Sequence, residues 1–163
     1  MSSLDTTAMC AVIDALVAAC QVENVTGGSL ESVTVTDGAV PSENPGNYLF
    51  IGVTDADAGD EATTGQSDQS WVHISGTRRE VGEITCVALA WNGNNDLKQA
   101  RDEALGMYQA VQRIVRPGRR PFDLGINEVA WVDCGGNTQL LTVQDEAGAL
   151  AKFIFTVGYQ ADL

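Results

Sequence analysis

The sequence predicts an α+β fold in a single domain: a mainly antiparallel or mixed β-sheet packed by two α-helices. Three segments carry that expectation. Residues 84–91 are apolar on both faces, as a central strand must be. From Leu97 onward, Leu97, Ala100, Ala104, Tyr108, Val111 and Val115 recur at steps of three and four, which gives a long helix one buried stripe. The chain then closes on Ala151, Phe153, Phe155, Val157 and Tyr159, all on one face of an unbroken strand.

The remaining elements follow in order. Residues 4–20 read as a helix with Met9, Ile13, Leu16, Val17 and Cys20 on one face and Ser2 or Ser3 as its cap. Residues 31–36 alternate and read as a half-buried strand that ends at Asp37-Gly38. After Pro41 and Pro45, the apolar run from Tyr48 to Val53 reads as another central strand. Residues 54–70 are poor in apolar side chains, hold Asp55, Asp57, Asp60, Glu61 and Asp68, and contain no base. They read as a long acidic loop that becomes ordered at a subunit interface, because its own contacts do not offset its ordering entropy. Trp71 to Ile74 opens the strand whose main body is Ile84–Trp91. Asn94, Asn95 or Asp96 caps the long helix, and Pro117-Gly118 ends it. Residues 129–132 and 140–143 read as two strands joined in a hairpin through Cys134-Gly135-Gly136-Asn137, and Gln144 to Gly148 is a polar turn.

Composition narrows the class. A chain of 163 residues with 44% hydrophobic and 19% charged content is long enough to bury its own core. No apolar run reaches the roughly 18–20 residues of a membrane span, so no membrane partner is expected. The start, Met-Ser-Ser-Leu-Asp, lacks the basic region of a secretory leader. Cys10 and Cys20 are separated by about 15 Å along their helix and cannot bridge. Cys86 and Cys134 lie in apolar strands, and no Cys or His spacing suits zinc, so the thiols are expected to be reduced and structural. Net charge is −13, yet residues 78–120 hold eight of the nine bases against five acids. A surface so acidic elsewhere repels phosphates and argues against nucleic-acid binding. Two long apolar strands, 84–91 and 150–159, stand in a chain with few edge-guarding lysines.

No residue set is spaced for chemistry. His73 is the sole histidine and has no nucleophile elbow or metal motif beside it. The glycine pairs Gly27-Gly28 and Gly135-Gly136 lack the lysine of a phosphate loop. The run Asp55 to Asp60 fails as a calcium loop, since Gly59 and Gln66 stand at its fifth and twelfth positions. No catalytic residue, metal or cofactor is therefore expected. The cluster Arg113, Arg116, Arg119 and Arg120 offsets the helix's negative end and also forms a candidate docking patch for an acidic partner.

Several segments, taken in order, resemble tail-terminator (tail-completion) proteins of long-tailed bacteriophages. They are the Ile13–Val17 helix, Asp37-Gly38 before Asn47–Val53, and Arg79-Glu80-x-Gly82-x-Ile84-x-Cys86 running into Ala90-Trp91-Asn92-Gly93. Asp96 with Ala100-Arg101, and Gly148-Ala149-x-Ala151 leading into Phe155–Ala161, complete the set. The resemblance implies a structural virion protein that forms a homo-hexameric ring at the head-proximal end of the tail. Such a ring caps the major tail tube protein, stops its polymerisation and offers a surface to a head-completion or connector protein. DNA passes through its lumen without specific binding, and assembly takes place in the host cytoplasm. Another neck or head-completion ring, or a small intracellular binding or adaptor domain, is the alternative. Together with the apolar strands 84–91 and 150–159, the resemblance leads to the expectation of self-association at a sheet edge.

Overall fold

The computed structural model describes residues 6–39, 45–53, 64–72, 76–119 and 123–163. In chain order these form α1 (Met9–Val22), β1 (Val33–Asp37), β2 (Asn47–Ile51), β3 (Gly65–Trp71), β4 (Arg78–Asn92), α2 (Leu97–Val115), a short 3-10 turn (Pro117–Arg119), β5 (Val129–Cys134), β6 (Gln139–Asp145) and β7 (Gly148–Asp162). The fold is α+β, with two α-helices on a seven-stranded mixed sheet.

The centre of the sheet is an antiparallel ladder between the 15-residue strands β4 and β7, in register from Arg79–Asp162 to Asn92–Ala149. Each of these strands carries two shorter ones end to end on its outer edge. On β4, β2 pairs with residues 86–89 and β3 with residues 78–84. On β7, β6 pairs with residues 148–154 and β5 with residues 157–161. The interruptions fall on one row. Thr85, opposite Thr156, is the β4 residue where the chain leaves after β2 and returns before β3: Gly52 and Val53 donate to its carbonyl and its N–H donates to Thr64. Across the ladder, Gly135 donates to the Thr156 carbonyl while the Thr156 hydroxyl donates to Gly135. The sheet thus has two halves. One runs β1-β2-β4-β7-β6, with β1 parallel to β2, and the other runs β3-β4-β7-β5.

This corrects three readings of the sequence. The stretch from Val129 to Val143 is not a hairpin, because β5 and β6 pair with β7 and not with each other. The acidic stretch ends in a strand: residues 65–70 belong to β3, which forms on backbone pairing to β4 although its side chains are polar. Nor do 84–91 and 150–159 offer an edge, since each is paired on both sides over most of its length.

Both helices bury their stripes on one face of the sheet. Val12, Ile13, Leu16 and Cys20 of α1 join Ala100, Ala104, Met107, Ala110, Val111 and Val115 of α2 over Ile84, Cys86, Ala88, Phe155 and Val157. Tyr108 meets Phe153 and Phe155 at 4.9 Å between ring centroids, contacts worth about 0.5–1.5 kcal/mol each beyond burial. Asp96 caps α2 through a 3.0 Å bond from the Gln99 N–H. Gly118, at φ 65°, turns the chain after Arg116. On the opposite face Phe50, Val53 and Val87 form a second, smaller cluster.

Gly82 is required by its neighbour. It lies opposite Tyr159 in the ladder, and a Cβ there would come within 2.6 Å of the fully buried ring and hydroxyl. Gly82→Ala should cost about 1–3 kcal/mol in urea unfolding, because the ring has nowhere to retreat. Unchanged stability would mean that the ring has room to move.

Candidate functional site

Where polar groups concentrate inside this fold, they serve the fold. Glu80 is fully buried on the helix face of β4. Its Oε1 accepts from the Thr7 hydroxyl at 2.7 Å and from the Tyr159 hydroxyl. Its Oε2 accepts from the Ala8 N–H at 3.1 Å and from Gln69 Nε2 at 3.2 Å. Gln69 Nε2 also donates to the Thr6 carbonyl at 2.7 Å. Four donors converge on two oxygens, an arrangement that favours the ionised carboxylate. Glu80 thereby takes the place of a helix cap: Ala8, at the N-cap of α1, has no side-chain cap of its own, and the carboxylate arrives from β4. Ser2 and Ser3, expected from the sequence to fill that role, lie outside the described residues.

Burial pushes the Glu80 carboxyl upward, but hydrogen bonds from Tyr159, Thr7, Ala8 and Ser67 outweigh it and leave the pKa below the ordinary 4.5. The Tyr159 hydroxyl is raised by desolvation and by its bond to Glu80. Burial likewise raises the thiols of Cys20 and Cys134 to about 12, and that of Cys86 further. These three are protonated, unreactive packing groups, whereas Cys10 is exposed.

The arginine cluster is only partly assembled. Arg113, in the last turn of α2, is exposed. Arg116 is committed to an ion pair with Asp133 of β5, which ties the end of α2 to the sheet. Arg119 lies in the 3-10 turn, and Arg120 falls outside the described residues. Arg113 borders two open grooves. One, about 390 Å³, is lined by Gln109, Gln112, Arg116, Asp133 and Cys134; the other, about 500 Å³, is more apolar and runs between the ends of α1 and α2 past Val22 and Ile114. The first groove places the Cys134 thiol beside Asp133, but burial keeps that thiol protonated.

Of the acidic candidates, Asp68 is exposed on β3, while Asp55, Asp57, Asp60 and Glu61 lie outside the described residues, as does His73. Asp68 lies opposite Val81 and diagonal to Glu83, and both acids line a depression along the β3–β4 pair with Gln66, Ser67 and Gly82. Among the described residues no group of three His, Cys, Asp or Glu converges to hold a metal, and no helix is long and apolar enough to cross a membrane. No protein-family model matches the chain, and no curated protein matches it.

Sequence reasoning missed Glu80, because an acid inside an alternating strand is indistinguishable from a solvated one. The available signal was Glu80-x-Gly82, a carboxylate two residues before a glycine on the same strand face.

The sign of the acid response follows from the lowered pKa. Glu80 contributes its stability in full above pH about 4.5, and that contribution is lost as the pH falls through its folded value. Glu80→Gln keeps one oxygen but turns an NH₂ toward two donors, so it should cost about 1.5–3 kcal/mol at pH 7. The gap between variant and parent in urea unfolding should narrow as the pH falls below about 4.5 and through the lowered folded value. A gap independent of pH would contradict an ionised Glu80.

Proposed function

We propose that this chain is a ring-forming tail terminator, a structural protein that caps a phage tail tube and receives the head. The observation that carries the reading is where the segments behind the resemblance fall. Those at 79–93 and 148–161 are far apart in sequence yet are register partners along the whole β4–β7 ladder. Their distinctive residues also serve one another. Gly82 makes room for Tyr159, and Tyr159 binds Glu80. A Cβ on Gly148 would lie 2.4 Å from the Asn92 carbonyl, while Asn92 Oδ1 accepts from the Asn94 N–H at 2.8 Å and shapes the turn into α2. The shared pattern describes a rigid frame, and a cap needs rigidity more than it needs reactive groups.

Charge supports the same role. With a net charge of −13, the surface does not hold DNA, which suits a passage through which DNA slides without specific binding. The basic end of α2 supplies an unlike surface for an acidic partner. Two faces of different character are what a cap requires, one that matches the tube end and one that does not.

The test is polymerisation of a tail tube protein from the same source, with and without the purified chain. Capping predicts growth arrested at about one ring per tube end, whereas tubes that lengthen at an unchanged rate would reject it. Arg113→Glu, in the exposed position, should slow head attachment and weaken its salt dependence while leaving the subunit folded. Attachment at the parental rate would exclude Arg113 from the docking surface.

A further inference from the structure

The two halves of the sheet differ in how their edges are guarded. In the β3-β4-β7-β5 half, one edge strand carries the exposed Asp68 and the other is broken by a register shift between Val129 and Trp131. Charges and bulges of this kind keep edges from pairing with other chains. The other half ends in β1 and β6. Strand β6 (Gln-Leu-Leu-Thr-Val-Gln-Asp) is exposed along its whole length, is uncharged up to its last residue Asp145, has no proline or bulge, and pairs only with β7 among the described strands. Leu140, Leu141 and Val143 are 46%, 42% and 56% exposed. Strand β1 pairs only with β2 among the described strands and is uncharged up to Asp37.

We infer that β6 of one subunit pairs with β1 of a second copy of this chain, so that the sheet continues from subunit to subunit. The inference deepens the ring reading and rests on it for closure. Three features make the second copy the occupant. First, direction: β6 is antiparallel to β7, β7 to β4 and β4 to β2, while β1 is parallel to β2, so β1 and β6 run in opposite senses. Copies repeated about an axis along the strands therefore meet as an antiparallel pair, the usual geometry of strand addition.

Second, side chains continue the rows already present. On the helix face, Val35, Leu49, Ala88, Phe153 and Leu140 lie in one row; on the other face, Thr34, Tyr48, Leu89, Lys152 and Leu141 do. Third, cover: α1 packs over β1, and β6 lies at the opposite margin with Leu140 exposed on the helix face. A neighbour docked through β1 brings its own α1 beside Leu140. The contact is heterologous, so it passes from copy to copy and does not stop at a pair, and closure into a ring follows from the ring reading.

The experiment is disulfide trapping in a Cys10→Ser background, which removes the exposed thiol. Chains carrying Thr34→Cys are mixed with chains carrying Leu141→Cys or Val143→Cys, all of them on the face away from the helices. The expected result is a mixed covalent dimer as the main product with at least one partner, and little from any variant alone. Dimers from Val143→Cys or Leu141→Cys alone would show β6 pairing with itself and overturn the inference. No mixed cross-link with either partner would overturn it too. Electron microscopy of the same samples separates the two readings. Rings without the cross-link overturn the β6–β1 contact alone, whereas a cross-link in tubes that still elongate overturns the capping role and leaves the contact standing.

Discussion

Everything in this fold hangs on the antiparallel ladder between β4 and β7. Its 15-residue strands are long enough for each to carry two shorter strands in line, and that length lets one sheet have two halves with different edges. The ladder joins residues 83 apart in sequence at its Arg79–Asp162 end and draws together the segment that holds α2, β5 and β6 at its Asn92–Ala149 end. The helices sit on one face because the residues of β4 and β7 on that face are small or apolar: Ala88, Ala90, Ala149 and Ala151 admit α2 closely. Opposite them the face carries a small cluster around Phe50 and Val87, and elsewhere polar rows.

Glu80 shows how the frame is locked. A buried carboxylate is unfavourable unless its lone pairs are filled. Here the donors come from the segment before α1, from β3 and from β7, so one side chain fixes three elements at once. Gly82 is the space this costs, since the Tyr159 ring must cross it to reach the acid. The Arg116–Asp133 pair does related work at the C-terminal end of α2, although its partly exposed position makes it weaker.

The parts of the fold legible in the sequence were those in which one segment contains its own answer. The stripe of α2, its Asp96 cap and its Pro117-Gly118 stop are local, and so are the apolar runs of β4 and β7. Strand β3 was not legible because Gly-Gln-Ser-Asp-Gln-Ser-Trp has no apolar alternation; it is a strand only because β4 lies beside it. The β5–β6 segment carries a real turn signal at Gly135-Gly136, but the turn steps along β7 and does not reverse the chain. As for the site, the arginines were visible as charges, yet the commitment of Arg116 to Asp133 depends on a contact between α2 and β5. The free edge was misplaced for a similar reason. Hydrophobicity marks a strand as buried as readily as it marks it as sticky, and 84–91 and 150–159 are buried by pairing while the less apolar β6 is the one left open.

The central claim is that this frame is repeated in a ring at the head-proximal end of a tail. Cryo-electron microscopy of the virion neck tests it most directly. The account predicts a hexameric ring between the last layer of tail tube and the head connector, into which this fold docks with β6 and β1 at each subunit boundary. A neck whose every layer is filled by other chains, or this fold found at the tail tip, would contradict it.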